Sequence, residues 1–215
     1  MGEYKLQLKF RKWQQDFFNK KKRFNVLLVH RRAGKTIACI FNLILEAIQS
    51  TRSRPSYAYA APEKKQGVEI VWNYLKEYLQ GMPGATFRES KGEVHFKHNN
   101  ATISVVGLKN LEAIRGRYFD GIIIDEYSDA PADAWGTVIF PALMDRQGWA
   151  IIAGTPRGQD HFAELFNKAE TGDDEEWFAR RLTVHDTGVF SVMEIERMQT
   201  EMTNAQFAQE MLCDS

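Results

Sequence analysis

The sequence predicts an α/β fold: a mostly parallel sheet covered by helices on both faces. Two observations carry this. Strand-length apolar runs alternate with stretches of helical periodicity along the whole chain. Three apolar runs, Val26–Val29, Ile122–Ile124 and Trp149–Ala153, end abruptly in polar clusters: His30–Thr36, Asp125-Glu126 and Gly154-Thr155. In open parallel sheets ligands bind beyond the carboxyl ends of the strands, so the three clusters are expected to converge on one site.

The elements follow in order. Trp13, Phe17 and Phe18 fall at helical spacing within the basic and aromatic stretch 4–24, which predicts a short amphipathic helix with its aromatics packed inward. Lys20–Arg23 reads as a solvated turn before the first strand, 26–29. A helix runs through the apolar stretch Ile37–Ile48, and a strand through Tyr57–Ala61 up to Pro62. Val68, Val71, Trp72, Leu75 and Leu79 form a helical stripe that Gly81–Gly84 breaks. Glu93–Lys97, a turn at Asn99-Asn100 and Ala101–Val106 read as a β-hairpin, with His95 and His98 as surface residues. Residues 108–118 are loop or short helix, and Gly121–Ile124 is an apolar strand. Pro131–Leu143 is helical, ended or kinked at Pro141. After the strand 149–153 come a helix with Asp160 as N-cap, an acidic loop at 171–176 and a strand over 178–184. Helices over 191–202 and 204–212 follow, each opened by a capping residue.

Composition bounds the function. Length suits one α/β domain with a small appendage. Lys+Arg and Asp+Glu are both 28, so any nucleic-acid contact needs a local patch rather than a global positive charge. Two cysteines, Cys39 and Cys213, cannot make a metal site alone, and the composition suits a reducing cytosol. The longest apolar stretch is too short to span a bilayer, and no signal peptide is legible.

The chemistry starts at Val26–Thr36. A strand, a short basic loop and a helix beginning at Gly34-Lys35-Thr36 make a phosphate-binding arrangement: unpaired helix N–H groups and the positive dipole end attract phosphate. Lys35 reaches the β- and γ-phosphates and the Thr36 hydroxyl ligates Mg²⁺. The common pattern has glycine five residues before Gly34, where this chain has Val29. Asp125 holds Mg²⁺, and Glu126 accepts a proton from the attacking water. Arg31 and Arg32 sit in the loop and pair with phosphate or with a neighbouring acid; spacing does not separate them. Arg115 and Arg117 are both candidates for a charge-neutralising finger. Thr155 senses the γ-phosphate or caps the following turn.

These motifs together resemble the large terminase subunits of tailed bacteriophages. His30-Arg31-Arg32-Ala33-Gly34-Lys35-Thr36 is similar to their deviant Walker A loop, Ile122–Glu126 to their Walker B strand, and Ala153-Gly154-Thr155-Pro156 to their coupling motif. Ala113-Ile114-Arg115-Gly116 resembles the segment with their trans-acting arginine, and Trp13-Gln14-Gln15 their adenine-reading motif, with Gln14 favoured over Gln15. The resemblance implies a P-loop NTPase of the additional-strand class, with a β-hairpin insertion and a small C-terminal lid or linker. The strand 149–153 would be the added strand. It implies an ATPase core over 1–177 and a lid or linker over 178–215, the nuclease domain being absent. Catalytic roles fall on Glu126, Arg115 and Arg31. Nucleotide contacts fall on Gln14 or Gln15, Arg32, Ala33, Gly34, Lys35, Thr36 and Thr155, and Mg²⁺ binding on Thr36 and Asp125. ATP and Mg²⁺ are the implied cofactors. Double-stranded DNA, a portal protein and a small terminase subunit are the implied partners. The chain would be a monomer in isolation and part of a ring when assembled, in the host cytoplasm and without a membrane.

Two other functions share the Walker residues. A helicase would need a second core domain, which 215 residues do not hold, and would separate a short DNA fork. A docking module that binds nucleotide statically would have no need of Glu126 and would release no phosphate.

Overall fold

The computed structural model describes residues 9–155 and 157–214. Residues 4–8, Pro156 and Ser215, on which parts of the first-helix, coupling-motif and chain-end expectations fall, lie outside the described residues. The chain divides into two compact units.

The first unit holds residues 9, 36–125 and 129–150. Its strands are β2 (Ser56–Ala61), β3 (Ala85–Arg88), β4 (Glu93–Phe96), β5 (Thr102–Gly107) and β6 (Gly121–Ile124), in the order β3-β4-β5-β2-β6. β2 pairs in parallel with both β5 and β6, whereas β4 runs antiparallel to β5 and to β3. The expected hairpin is therefore present, but its second strand, β5, is also a member of the parallel sheet. β3 had no sequence signal: Ala-Thr-Phe-Arg after a Gly-rich turn alternates over only four residues. α2 (Lys35–Gln49) is buried from Ala38 to Ile44 and again at Ala47, as expected of a helix apolar nearly all round. α3 (Lys64–Leu79) buries Val71, Trp72, Leu75 and Leu79.

The helix predicted over 131–143 is interrupted. Trp135–Ile139 forms a π-helical turn, and α4 (Phe140–Met144) restarts with Pro141 in its first turn. Proline has no N–H for an i→i−4 bond and its ring crowds the preceding turn; in the wider turn the Phe140 N–H reaches back to the Trp135 carbonyl.

Gly121 opens β6 because nothing larger fits. A Cβ there would overlap the Trp149 indole. The residue before it, Asp120, is 2% exposed and accepts from the Ser56 N–H at 2.8 Å, Arg52 Nη1 at 2.9 Å and Arg146 Nε at 2.9 Å. Asp120 N–H donates to the Ser56 carbonyl at 2.7 Å, so β6 starts from a fixed point beside β2.

The second unit holds residues 10–35, 126–128, 151–155 and 157–214. β7 (Trp149–Gly154), β1 (Phe24–Val29) and β8 (Trp177–Leu182) follow one another in that order, and β1 pairs in parallel with β8. β1 is buried at every position. α1 (Lys12–Lys20) buries Trp13 and Phe17 as expected, whereas Phe18 is only half-buried. α5 (His161–Thr171) is capped by Asp160, whose carboxylate accepts from the N–H groups of Phe162 and Ala163 at 3.1 and 2.9 Å.

The predicted last strand ends two residues early, because Thr183 caps α6 (Val184–Thr187). α7 (Val192–Glu201) starts with a Ser191–Glu194 capping box. α8 (Asn204–Met211) starts with a Thr203–Gln206 box, one residue before the position expected. Val184, Ile195, Phe207 and Met211 make a small apolar core of their own, with Phe190, Met198, Met202 and Leu212 against it.

Candidate active site

The loop between β1 and α2 is shaped by two left-handed residues, Arg32 (φ 64°) and Gly34 (φ 90°). An arginine in this region carries strain of about 1–3 kcal/mol, and such strain clusters at ligand-binding turns. The residues around α1 hold the loop. Arg11 Nη1 donates to the Ala33 carbonyl at 2.6 Å and to the Arg32 carbonyl at 3.3 Å. Trp13 Nε1 donates to the Ala33 carbonyl at 3.2 Å, and Gln14 Nε2 to the Gly34 carbonyl at 2.9 Å. Three consecutive carbonyls are thereby tied to one side. In a trans peptide the N–H points opposite to its C=O, so the Gly34 and Lys35 N–H groups face away from α1. That is an anion-binding orientation. Gly34 also leaves room for its neighbours: a Cβ would come within 3.1 Å of Gln14 Nε2 and 3.4 Å of Arg11 Nη1.

Gln14 is 3% exposed, and its Oε1 accepts from the Arg11 N–H at 2.8 Å. Gln15 is exposed, with its amide on the Phe10 carbonyl at 3.3 Å. Of the two glutamines only Gln14 touches the loop. Arg11, which holds two loop carbonyls, carried no sequence signal, because its partners lie 21 and 22 positions away.

Lysine, hydroxyl and acids meet in pairs. In the first unit, the Thr36 hydroxyl donates to Asp125 Oδ2 at 3.4 Å, and the Tyr59 hydroxyl bonds to the same oxygen. Asp125 is 6% exposed. In the second unit, Lys35 Nζ lies 3.3 Å from Glu126 Oε1. Glu126 has φ 53°. This left-handed turn departs from the strand alternation that would otherwise set the direction of its side chain relative to Asp125. Thr36 and Asp125 offer hydroxyl and carboxylate oxygens, the donor type Mg²⁺ takes when most of its shell is water and phosphate. Among the described residues no group of three or more His, Cys, Asp or Glu is placed to hold a metal.

The arginines divide. Arg31 Nε lies 3.4 Å from Glu210 Oε2 on α8, and the Arg31 N–H donates to the Glu210 carbonyl at 3.0 Å. Arg115 is exposed and pairs with Glu112 at 3.2 Å, whereas Arg117 is half-buried and donates to Ser104 Oγ at 2.8 Å. The Thr155 carbonyl accepts from the Ser128 hydroxyl at 3.1 Å.

His30, at the end of β1, also ties the loop to α6. Its Nδ1 bonds the Arg31 carbonyl at 2.8 Å and its Nε2 the Thr187 hydroxyl at 2.6 Å. Since a carbonyl only accepts, Nδ1 carries the proton in the neutral ring. Burial pushes the His30 pKa below its ordinary 6.5, the bond to the Arg31 carbonyl opposes this, and the Arg11 charge adds to the depression. The unfolded chain therefore takes up this proton at higher pH than the folded one. Stability should fall as pH drops from about 6.5 through the folded-state pKa, then level off. Urea midpoints at pH 7.5 and 5.5 check this: His30→Gln should lose less on acidification than the wild type, and an equal loss would contradict it.

Among the described residues no helix is long and apolar enough to cross a membrane. Over 53 residues the chain is 42% identical to the large terminase subunits of Thermus phage G20c and Thermus virus P23-45, a stretch covering 25% of this chain and 11% of those proteins. Its fold is similar to the large terminase ATPase domain of Thermus phage P74-26, with TM-score 0.83 and 18% identity, covering 97% of this chain and 95% of that one. The large terminase of bacteriophage HK97 matches with TM-score 0.81 and 13% identity over 96% of this chain and 51% of that one. The ADP complex of the large terminase from a thermophilic bacteriophage matches with TM-score 0.75 and 18% identity, over 95% of this chain and 53% of that one. Residues 26–215 match the family model described as terminase large subunit, T4likevirus-type, N-terminal. With an α/β fold of the P-loop type and most of its length inside that match, the chain belongs to the terminase large subunit family.

Proposed function

We propose that the chain hydrolyses ATP to drive double-stranded viral DNA into a procapsid, as the ATPase domain of a terminase large subunit. The observation that carries this is the pairing of Lys35 with Glu126 and of Thr36 with Asp125: two consecutive residues of the phosphate loop each held against one of two consecutive acids. The Gly34 and Lys35 N–H groups and Lys35 Nζ bind the phosphates, with Arg32 and Ala33 shaping the loop. Mg²⁺ held by Thr36 and Asp125 would neutralise charge on the β- and γ-phosphates. Glu126 takes the proton of the attacking water, and Arg31 and Thr155 act beside the γ-phosphate. Gln14 is the residue we favour near the adenine, because it alone of the glutamine pair is bonded to the loop. Residues 1–177 would be the ATPase core and 178–215 a lid or linker, a reading supported by the separate apolar core around Ile195 and Phe207.

In the assembled motor we place the chain in a ring on a portal, with a small terminase subunit and DNA as partners in the host cytoplasm. Arg115, exposed and held only by a local ion pair, would complete the site of a neighbouring copy. Phosphate release by mixtures of Arg115→Ala and Glu126→Gln chains tests both halves. Each variant alone should be nearly inactive, and the mixture should recover turnover, because one supplies the base and the other the finger. No recovery at any ratio or protein concentration would contradict the trans role.

A further inference from the structure

The segment between β5 and β6 carries two arginines one residue apart, in opposite surroundings. Arg115 is exposed beside Glu112. Arg117 is half-buried, and its Nη2 donates to Ser104 Oγ on β5, which donates in turn to the Tyr57 carbonyl on β2 at 3.3 Å. The Arg117 guanidinium also lies over the Phe119 ring, 5.0 Å from its centre, and Phe119 is buried at the foot of β6. A lysine cannot reproduce this, because its ammonium neither stacks flat on a ring nor presents a planar fork.

The backbone between them is a tight coil. After the 3₁₀ turn Leu111–Ala113, the N–H groups of Ile114 and Arg115 bond the Leu111 carbonyl at 3.0 and 3.1 Å, and Arg117 N–H bonds the Ile114 carbonyl at 3.1 Å. Ile114 is 1% exposed. Gly116 turns left-handed (φ 74°) with no atom near where a Cβ would stand. Arg115-Gly116 is thus a two-residue tip between two anchors, one apolar at Ile114 and one polar at Arg117. Without the second anchor, the tip hangs from one side on a residue with the freest backbone of all.

We infer that Arg117 is a positioning residue for Arg115: it clamps the tip to β5 through Ser104 and to β6 through Phe119, so that the Arg115 guanidinium is held out in one place for the phosphates bound by a second copy. This rests on the trans role proposed for Arg115. The geometry also separates two arginines that spacing leaves equivalent.

The test compares Arg117→Ala, Arg117→Lys, Ser104→Ala and Arg115→Ala. Arg117→Ala should lower kcat by about 10²-fold, the cost of a misplaced catalytic group, with KM for ATP nearly unchanged. Mixing it with Glu126→Gln should restore turnover, because its own phosphate loop and base are intact and its partner brings a well-held finger. Arg117→Lys should recover little, and Ser104→Ala should show a smaller loss in the same direction. Amide exchange of Arg115, followed without nucleotide, should speed up by about tenfold in Arg117→Ala while β5 and β6 stay protected. If Arg115→Ala loses turnover but Arg117→Ala keeps both turnover and slow exchange, the clamp is wrong and the finger stands. If the Arg117→Ala loss is not restored by Glu126→Gln while that of Arg115→Ala is, Arg117 serves only folding. If Arg115→Ala keeps full turnover, the trans reading fails, and the exchange of the tip still decides whether Arg117 clamps it.

Discussion

Replacing Glu126 with glutamine should lower steady-state ATP turnover by about 10³-fold, within the range a positioned general base supplies, while leaving ATP binding in place. The two adjacent acids differ in burial and in bonding. Asp125 is 6% exposed, and its Oδ2 accepts from Thr36 and bonds Tyr59, so it is committed to a fixed place. Glu126 leaves the strand through a left-handed backbone and presents a 41% exposed side chain to Lys35. A carboxylate that takes a proton needs access to water, and one that orients a cation shell needs rigidity; the two acids match these needs in reverse order. Glutamine keeps the shape and an oxygen that accepts from Lys35, but it cannot take the proton. Phosphate release at saturating ATP, beside ATP affinity by calorimetry, separates the outcomes. Turnover within about threefold of wild type would assign the base elsewhere. Weaker ATP binding together with the loss would make Glu126 a ligand of the phosphate loop rather than a base.

The second large effect concerns stability. Asp120→Ala should cost about 3 kcal/mol or more, the scale for removing one partner of a buried ionic cluster. The side chain of Asp120 is 1% exposed, while Arg52 and Arg146 are 43% and 25% exposed, so the guanidiniums retain some water and the loss falls toward the low end of that scale. What is lost besides charge is geometry. The Asp120 carboxylate fixes the Ser56 N–H at the start of β2 and ties Arg52 and Arg146 beside the strand that leads into Asp125, whereas its backbone bonds to Ser56 and Trp149 survive the substitution. Chemical denaturation of Asp120→Ala, Arg146→Ala and the double variant measures the coupling. A single-variant cost below about 1 kcal/mol would mean the cluster is merely solvated.

Much of this was legible in the residues. Strong local signals gave the right elements: the unbroken apolar run of α2, the three isoleucines of β6 and the Asp160 cap. The loop is legible through Gly34-Lys35-Thr36 although Val29, the last residue of β1, stands where glycine is common. What the residues did not disclose is that Arg11, Trp13 and Gln14 hold the Ala33 and Gly34 carbonyls from outside the loop. Weaker signals failed where tertiary contacts decide. β3 has four residues and forms only against β4, the π turn answers to Pro141, and α6 begins where Thr183 finds Asp186.

The chain's local order determined its elements, the lysine, hydroxyl and acids of its chemistry, and the expectation of a nucleotide site, because periodicity, caps and strand-end clusters act within a few residues. Only the tertiary structure decided which of Gln14 and Gln15 touches the loop between β1 and α2, that Arg11 braces it, that Tyr59 bonds Asp125, and which of Arg115 and Arg117 is exposed. Those choices depend on hydrogen bonds between residues 13 to 66 positions apart, and no local pattern encodes the distance between two such side chains until the sheet has brought them together.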